Sequence, residues 1–174
     1  GAEPCTRDPL AIVRLRTRGA YPARRMATKL SSLGDVDVPV SELDITLYRD
    51  DLDPNEHRER PKTPVLSGNN VPSNLAGKTV VLVDDVLFTG RTVRAALDAL
   101  VDTGRPDRIL LAVMVDRGHR ELPVRADFVG KNIPTSLDEA VDVHVTEVDG
   151  EDSVTIRKVA SRCRRHFWGR RRRG

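Results

Sequence analysis

Two adjacent acids, Asp84 and Asp85, and a Thr-Gly-Arg-Thr turn that begins four residues later form the segment of this chain best suited to chemistry. A turn at the start of a helix offers backbone N–H groups and the positive end of the helix dipole, which together hold a phosphate. Thr89 and Thr92 add hydroxyl donors. Because carboxylates repel phosphates, the combination favours a ligand that carries both a phosphate and neutral hydroxyls, such as a ribose phosphate, with a divalent cation nearby.

The elements around these residues place them at one edge of a sheet. Thr79–Val83 is a continuous apolar run, typical of a strand that is buried on both faces, and we expect Asp84 and Asp85 to end it. The next apolar residues follow helical spacing until Gly104, and Ile109–Val115 is a second buried strand. This βαβ unit predicts an α/β fold, in which ligands bind at the carboxyl ends of parallel strands.

Weaker patterns predict the remaining elements. They comprise a first strand, Ala11–Val13, a helix from Ala20 through Leu33, and one or two further strands within 36–48. A long mobile loop over 52–77 follows, and two short strands lie near the end, Val141–Val145 and Val154–Ile156. A Gly-, Arg- and Pro-rich section, Arg117–Thr135, separates the second buried strand from the last ones.

Length and composition set the class of protein. The chain has 174 residues and 19.3 kDa, which suits a single domain, and we assign that domain to residues 1–156. It contains no apolar run of about 18 residues that could cross a bilayer and no basic segment leading into an apolar stretch. Its two cysteines lie near opposite ends. These features predict a cytoplasmic protein without membrane contact.

The positive charge is concentrated at the end of the chain. Arg157–Gly174 holds nine of the 29 Lys and Arg residues and no acid, so residues 1–156 hold 20 basic and 26 acidic residues, a net charge of −6. We expect 157–174 to be a basic, disordered tail. Within the acidic body, residues 9–34 form a local cluster of six cations without an acid.

The thirteen residues Val80–Thr92, Val-Val-Leu-Val-Asp-Asp-Val-Leu-Phe-Thr-Gly-Arg-Thr, resemble the phosphoribosyl pyrophosphate (PRPP) signature of type I phosphoribosyltransferases. Three further segments narrow the resemblance to the bacterial family that combines uracil phosphoribosyltransferase activity with regulation of the pyrimidine operon: Leu43–Leu52, Val115–Pro123 and Gly130–Ser136. The resemblance covers about residues 11 to 156. It implies a parallel-sheet core flanked by helices, with a small hood and a flexible loop, and conversion of uracil and PRPP to UMP and pyrophosphate with Mg²⁺.

The resemblance also implies roles for single residues. Asp84, Asp85 and Arg18 would be catalytic: the two acids would bind the ribose hydroxyls, and Thr17 and Arg18 would contact pyrophosphate. Arg117 and the backbone around Val141 would hold the nucleobase. The phosphate loop and its flanks would complete the substrate site: Val86, Leu87, Phe88, Thr89, Gly90, Arg91 and Thr92. No side chain is assigned as a direct metal ligand, and the loop after Asp51 would close over the site.

The regulatory half of the resemblance implies binding of a hairpin in the leader mRNA of pyrimidine genes, tighter with UMP bound, which reduces expression by transcription attenuation or another route. Candidate RNA contacts are basic residues that could equally be solvated surface charges: Arg18, Arg24, Arg25, His119, Arg120, Arg125 and Lys131. Aromatic residues make up 3% of the chain, so phosphate contacts should dominate over base stacking. Assembly of the chain into a homo-oligomer would enlarge the positive patch.

Three features depart from the family pattern. The Arg-rich tail from about Lys158 has no counterpart in the family, and two further features bear on the activity. Members of the family have a helical stretch before the first strand, so we interpret the domain as N-terminally short. Arg14 stands where the family usually shows Gly. Both features favour an alternative function, an RNA-binding regulator whose nucleotide pocket is a sensor with little or no catalysis. A third hypothesis is a phosphoribosyltransferase for another base without an RNA role.

Overall fold

The computed structural model of the chain describes residues 10–15, 20–34, 37–45, 66–67 and 75–159. The described part holds eight strands and three helices. In chain order these are β1 (Leu10–Leu15), α1 (Ala20–Gly34), β2 (Val40–Leu43), β3 (Leu66–Ser67), β4 (Thr79–Leu87), α2 (Arg91–Gly104), β5 (Arg108–Asp116), β6 (Phe128–Asn132), β7 (Glu139–His144), α3 (Thr146–Asp149) and β8 (Ser153–Lys158). None of the described helices is long and apolar enough to cross a membrane.

The main sheet is parallel over five strands in the order β2-β1-β4-β5-β6, and β3 pairs antiparallel with the outer edge of β2. β1-α1-β2 and β4-α2-β5 are βαβ units, in which a helix joins two parallel strands of the sheet. β7 and β8 form a separate antiparallel hairpin. The predicted α/β class with a parallel core is therefore confirmed.

The two faces of the sheet are covered by different helices. Ile12 packs on the α1 side with Ala23, and the next residue of β1, Val13, belongs to the cluster on the opposite face with Ala96 and Leu100 of α2. This alternation follows from the period of two along a strand. The hairpin packs against the end of β5, where its valines join Val115 in a third cluster.

The prediction that Asp84 and Asp85 end a strand is wrong. β4 continues for two residues past them, because β5 is long enough to pair with it as far as Leu87 and Asp116. On the other side of β4, the pairing with β1 stops at Arg14 and Val83. The two acids therefore lie beside the end of β1, at the open carboxyl edge of the sheet.

Two other boundaries differ from the predictions. β6 lies inside the Gly-, Arg- and Pro-rich section that carried no predicted strand; it pairs with β5, and all its residues except Val129 are exposed. The basic tail begins later than expected, because Arg157 and Lys158 belong to β8 and pair with Ala140 and Glu139. Residues 160–174 lie outside the described part of the chain, as does most of the predicted loop over 52–77.

Candidate active site

The acidic pair is held by its own backbone at the carboxyl edge of the sheet. Asp84 is only 4% exposed, and its Oδ1 accepts a hydrogen bond from the N–H of Asp85 at 3.0 Å. Asp85 is half-buried, and its Oδ1 accepts the N–H of Val86 at 2.9 Å. These bonds fix the orientation of both carboxylates before any ligand arrives.

A cavity of about 360 Å³ begins at Asp84 and follows the turn into α2. Its lining comprises Asp84, the residues 86–93 and Glu121. Gly90, the N-cap residue of α2, has φ +90°, a left-handed conformation that favours glycine. Gly90 has no side chain to cap the helix, and the N–H of Arg91 donates to Thr89 Oγ1 at 3.4 Å. The turn therefore faces the cavity with the positive end of the helix dipole, which suits a phosphate.

Glu121, which lines this cavity, belongs to the segment 117–124 that leads from β5 toward β6. The N–H groups of Glu121 and Leu122 donate to the carbonyl oxygen of Thr89 at 3.0 and 3.2 Å. Arg91 Nε donates to the Glu121 carboxylate at 2.7 Å. The 117–124 segment is thus bound to the turn that would hold the phosphate, residues 89–92, which we call the phosphate turn.

A second cavity of about 350 Å³ lies at the start of the 117–124 segment. It is lined by the residues 116–119, Asn132, Pro134 and Thr135. Arg117 is 6% exposed and donates from Nε to Thr135 Oγ1 and from a terminal nitrogen to the Ser136 carbonyl, each at 3.0 Å. Burial lowers the pKa of the Arg117 guanidinium, against an opposite effect of Glu139.

The predicted substrate residues divide into four groups. Asp84 and the residues 86–92 line one cavity, and Arg117 lines its neighbour. Asp85 lines neither of these two cavities. Val141 packs with Val115 and Val143 in the hairpin cluster, and it is not among the residues that line either described cavity, so its role in base binding stays a prediction. Thr17 and Arg18 lie outside the described residues.

The predicted RNA contacts also differ in their surroundings. Arg24, Arg125 and Lys131 are exposed, as is His119. Arg25, although exposed, donates to Glu147 and Asp152, so its charge is already neutralised within the chain. Arg18 lies outside the described part.

Arg120 is the candidate RNA contact whose surroundings differ most from those expected of a surface cation. It is half-buried, and its guanidinium donates to carbonyl groups in the loop and to Asp116.

Arg14 has a partner that the sequence did not reveal. Its guanidinium forms an ion pair with Glu42, its neighbour across β1 and β2. Both side chains are about four-fifths buried, with 16% and 21% exposed. Arg14 does not line either cavity.

Sequence reasoning also missed Glu121, Thr135 and Ser136 as site residues. The only signal for them was their position inside the segments Val115–Pro123 and Gly130–Ser136. Among the described residues, no group of three or more His, Cys, Asp or Glu side chains is arranged to hold a metal ion.

An acidic pair and a turn suited to a phosphate, at the carboxyl edge of a parallel sheet, are the arrangement expected of a type I phosphoribosyltransferase, and the phosphoribosyl transferase domain family matches residues 4–148. The bifunctional protein PyrR of Listeria welshimeri is 58% identical over 154 residues, which are 88% of this chain and 82% of that protein. The bifunctional protein PyrR of Brevibacillus brevis is 56% identical over 152 residues, 87% of this chain and 82% of that protein. The chain therefore belongs to the PyrR family, which confirms the resemblance.

Solved structures share the fold. The hypoxanthine phosphoribosyltransferase of Trypanosoma cruzi superposes with a TM-score of 0.59 at 18% identity, over 92% of this chain and 82% of that chain. The Staphylococcus aureus enzyme of the same name gives 0.55 at 20% identity, over 88% and 77%. At these identities the likeness concerns the fold alone, and it agrees with the predicted type I architecture.

Proposed function

We propose that this protein is a uracil phosphoribosyltransferase that also regulates pyrimidine genes by binding leader mRNA when UMP is bound. One observation carries the proposal: the acidic pair lies beside a phosphate-binding turn in a chain that is 58% identical to a PyrR. The single domain of residues 1–156, extended to the end of β8 at Lys158, would carry the catalytic site. The leader transcript as partner places the protein in the cytoplasm.

The acidic pair would hold the ribose of PRPP. Asp84 and Asp85 accept hydrogen bonds from the two ribose hydroxyls, and the N–H groups at the start of α2 with the hydroxyls of Thr89 and Thr92 hold the 5′-phosphate. Uracil N1 attacks the anomeric carbon, the bond from that carbon to the pyrophosphate oxygen breaks, and the N1 proton is released. The cation-like ribose of the transition state is stabilised by the nearby carboxylates.

The residues present fit a magnesium ion that enters with PRPP. Carboxylate oxygens are ligands that Mg²⁺ prefers, and it is commonly held by one or two carboxylates together with substrate phosphates. Asp85 is half-buried, so its carboxylate can reach a cation carried into the site. When bound, Mg²⁺ offsets the negative charge that builds on the departing pyrophosphate. Thr17 and Arg18 would contact the same pyrophosphate.

The nucleobase would bind in the cavity beside Arg117. A volume of about 350 Å³ is ample for a single pyrimidine ring. Asn132, whose side-chain amide carries both a donor and an acceptor, lines this cavity, which suits the alternating carbonyl and N–H groups of uracil. The cavity lined by Asp84, the residues 86–93 and Glu121 is the phosphate cavity. Phe88 connects the two cavities, because it lines the phosphate cavity and packs against Arg117.

The RNA surface would consist of exposed cations on an otherwise acidic body. Arg24, Arg125, Lys131 and His119 are exposed, whereas the charge of Arg25 is paired internally. Because residues 1–156 carry a net charge of −6, the positive patch is local, and a homo-oligomer would join two such patches. The basic residues after β8 would add affinity that does not depend on sequence.

One of the two observations that favour an RNA-binding regulator without catalysis no longer applies. Arg14 favoured it because it stands where the family usually shows Gly, but its guanidinium is paired with Glu42 and does not line the two cavities. We therefore retain catalysis as the proposed function.

Base selection tests this proposal against a phosphoribosyltransferase of different specificity. Purified protein, PRPP and Mg²⁺ would be incubated in turn with uracil, hypoxanthine, guanine and orotate, and the nucleotide formed would be separated by chromatography. We expect UMP from uracil and no comparable product from the other bases. A faster reaction with a purine or with orotate would contradict the proposal.

A further inference from the structure

The guanidinium of Arg120 lies at the centre of a hydrogen-bond network between β4, β5 and the 117–124 segment. Its Nε donates to the carbonyl of Val124 at 3.1 Å. One terminal nitrogen donates to the carbonyls of Phe88 at 2.7 Å, Gly118 at 3.2 Å and Leu87 at 3.4 Å. The other donates to the carboxylate of Asp116. A side chain with this many acceptors is held in place by the fold.

Asp116 supports the same arrangement from β5. Although burial raises the pKa of its carboxyl group, hydrogen bonds from Arg120 and from the N–H of Gly118 outweigh that effect and hold the pKa below its ordinary value. Asp116 is therefore ionised at neutral pH, which makes its bond to Arg120 charge-assisted. Arg120 is 22% exposed, so little of its side chain is available for an external contact.

The acceptors of Arg120 connect the phosphate cavity to the 117–124 segment. Leu87 and Phe88 line that cavity, and they precede Thr89, whose carbonyl accepts the N–H groups of Glu121 and Leu122. Behind the turn, a Cβ placed on Gly90 would lie 3.4 Å from Val124. A shift of the phosphate turn would therefore be passed directly to the 117–124 segment.

We propose that Arg120 is a positioning residue, which locks the 117–124 segment onto the phosphate turn so that occupancy of the phosphate cavity fixes the conformation of the segment. This inference rests on the proposed function, since it needs a nucleotide phosphate in that cavity. It assigns Arg120 a role inside the protein in place of the RNA contact that the sequence predicts.

Such a device would control two exposed basic residues, His119 inside the segment and Arg125 directly after it. His119, at φ +60°, packs edge-on against Phe88 with the ring centres 6.0 Å apart. Arg125 directly follows the segment and is exposed. A bound phosphate would order both side chains through the segment, which gives a physical route from UMP binding to the surface proposed to bind RNA.

The test measures hydrogen–deuterium exchange of peptides that cover 117–124, with and without UMP. In the wild-type protein, UMP should slow exchange in this segment at least about fivefold, because the N–H groups of Glu121 and Leu122 donate to the ordered phosphate turn. Arg120→Gln should abolish that slowing and raise the KM for PRPP about tenfold, with a smaller change in kcat. Arg120→Lys, which keeps a charged donor, should recover part of both effects.

Arg108→Gln is the matched control, because Arg108 is exposed at the opposite end of β5. It should leave UMP-dependent exchange and the KM for PRPP unchanged. If Arg120→Gln does not fold, Glu121→Gln serves as a second variant. It removes the exposed ion pair with Arg91 and should by itself reduce the slowing of exchange by UMP.

The failures of the two proposals are distinguishable. A wild-type protein that makes no UMP and shows no UMP binding by calorimetry contradicts the proposed function. A wild-type protein that binds UMP without slower exchange in 117–124 overturns the positioning role. The same role is overturned if folded Arg120→Gln keeps the full UMP effect and the wild-type KM.

Discussion

The guanidinium of Arg117 lies 4.1 Å from the centre of the Phe88 ring. Phe88 lines the phosphate cavity and Arg117 lines the cavity beside it, so this contact sets the spacing between the two. A cation held over an aromatic face is stabilised by the ring quadrupole, and burial strengthens the effect. In the proposed function, this spacing would set where the base stands relative to the anomeric carbon.

Replacing the Phe88 ring should therefore raise the KM for uracil more than the KM for PRPP. Phe88→Leu removes the cation–π contact, which is worth roughly 1 to 2 kcal/mol when partly desolvated, and we expect the KM for uracil to rise about 5- to 30-fold. Steady-state kinetics with each substrate varied in turn measures the effect. Phe128→Leu, at an exposed position on β6, serves as the control and should leave both KM values unchanged. A rise confined to the KM for PRPP would contradict this prediction.

Gly90 is the glycine on which the phosphate turn depends. Its φ of +90° strains any side chain, and a Cβ there would lie 3.4 Å from Val124. Gly90→Ala should cost about 1 to 3 kcal/mol of stability and raise the KM for PRPP about tenfold or more. Thermal unfolding and kinetics measure the two effects.

Gly77 provides a matched control for Gly90. It has φ +73°, but a Cβ there would have no atom within 4 Å, and it lies in the turn before β4. Gly77→Ala should lower stability through the same backbone strain while leaving the KM for PRPP unchanged. Equal effects of the two substitutions on this KM would show that the turn has no special role in phosphate binding.

The ion pairs of Arg25 predict an acid-dependent part of the stability. Hydrogen bonds from Arg25 lower the pKa of Glu147 and Asp152 below their ordinary values of 4.5 and 3.8. Groups whose pKa is lowered by folding stabilise the protein above the unfolded pKa and lose this contribution as the pH falls through the folded pKa. The contribution should thus be complete above pH 4.5 and disappear progressively below pH 3.8.

Urea unfolding of Arg25→Gln between pH 2 and 7 measures this dependence. The variant should unfold at lower urea than the wild type at pH 7, and the two midpoints should converge in acid. Arg24→Gln changes the neighbouring exposed cation and should show no such convergence. A gap between Arg25→Gln and the wild type that is as large at pH 2 as at pH 7 would refute the assignment.

The sequence predicted the centre of the fold better than its edges. β4, α2 and β5 were recognisable because buried strands require unbroken apolar runs and a helix on the sheet requires apolar residues at helical spacing. β6 was missed because an exposed edge strand needs no apolar run, and its Gly130 and Lys131 are typical of loops. The extension of β4 past Asp85 depends on the length of β5, which no local pattern reveals.

The same distinction applies to the site. Asp84, Asp85 and the turn after them could be predicted because they are contiguous and their chemistry follows from residue type. The internal partners of Arg25 and Arg120 could not, since Glu147 is 122 residues from Arg25 and Phe88 is 32 residues from Arg120. An arginine bound inside a loop and an arginine exposed to RNA have the same local sequence signature.

The RNA surface predicts a graded salt dependence. Each of Arg24→Gln, Arg125→Gln and Lys131→Gln should weaken binding of a hairpin from the pyrimidine-gene leader and lower the slope of log affinity against log salt by about one unit or less. Filter binding across salt concentrations, in the presence of UMP, measures the slope. Arg108→Gln should leave the slope unchanged, and unaltered slopes in all three variants would exclude this surface.

The most direct test of the account is the rate of UMP formation from uracil and PRPP with Mg²⁺, for the wild type and for a double variant, Asp84→Asn with Asp85→Asn. The account predicts UMP formation by the wild type and a loss of at least about 100-fold in a double variant that still folds, because the charges that stabilise the ribose cation are gone. No UMP from a folded wild-type protein that binds UMP by calorimetry would contradict the account and establish the pocket as a sensor without catalysis.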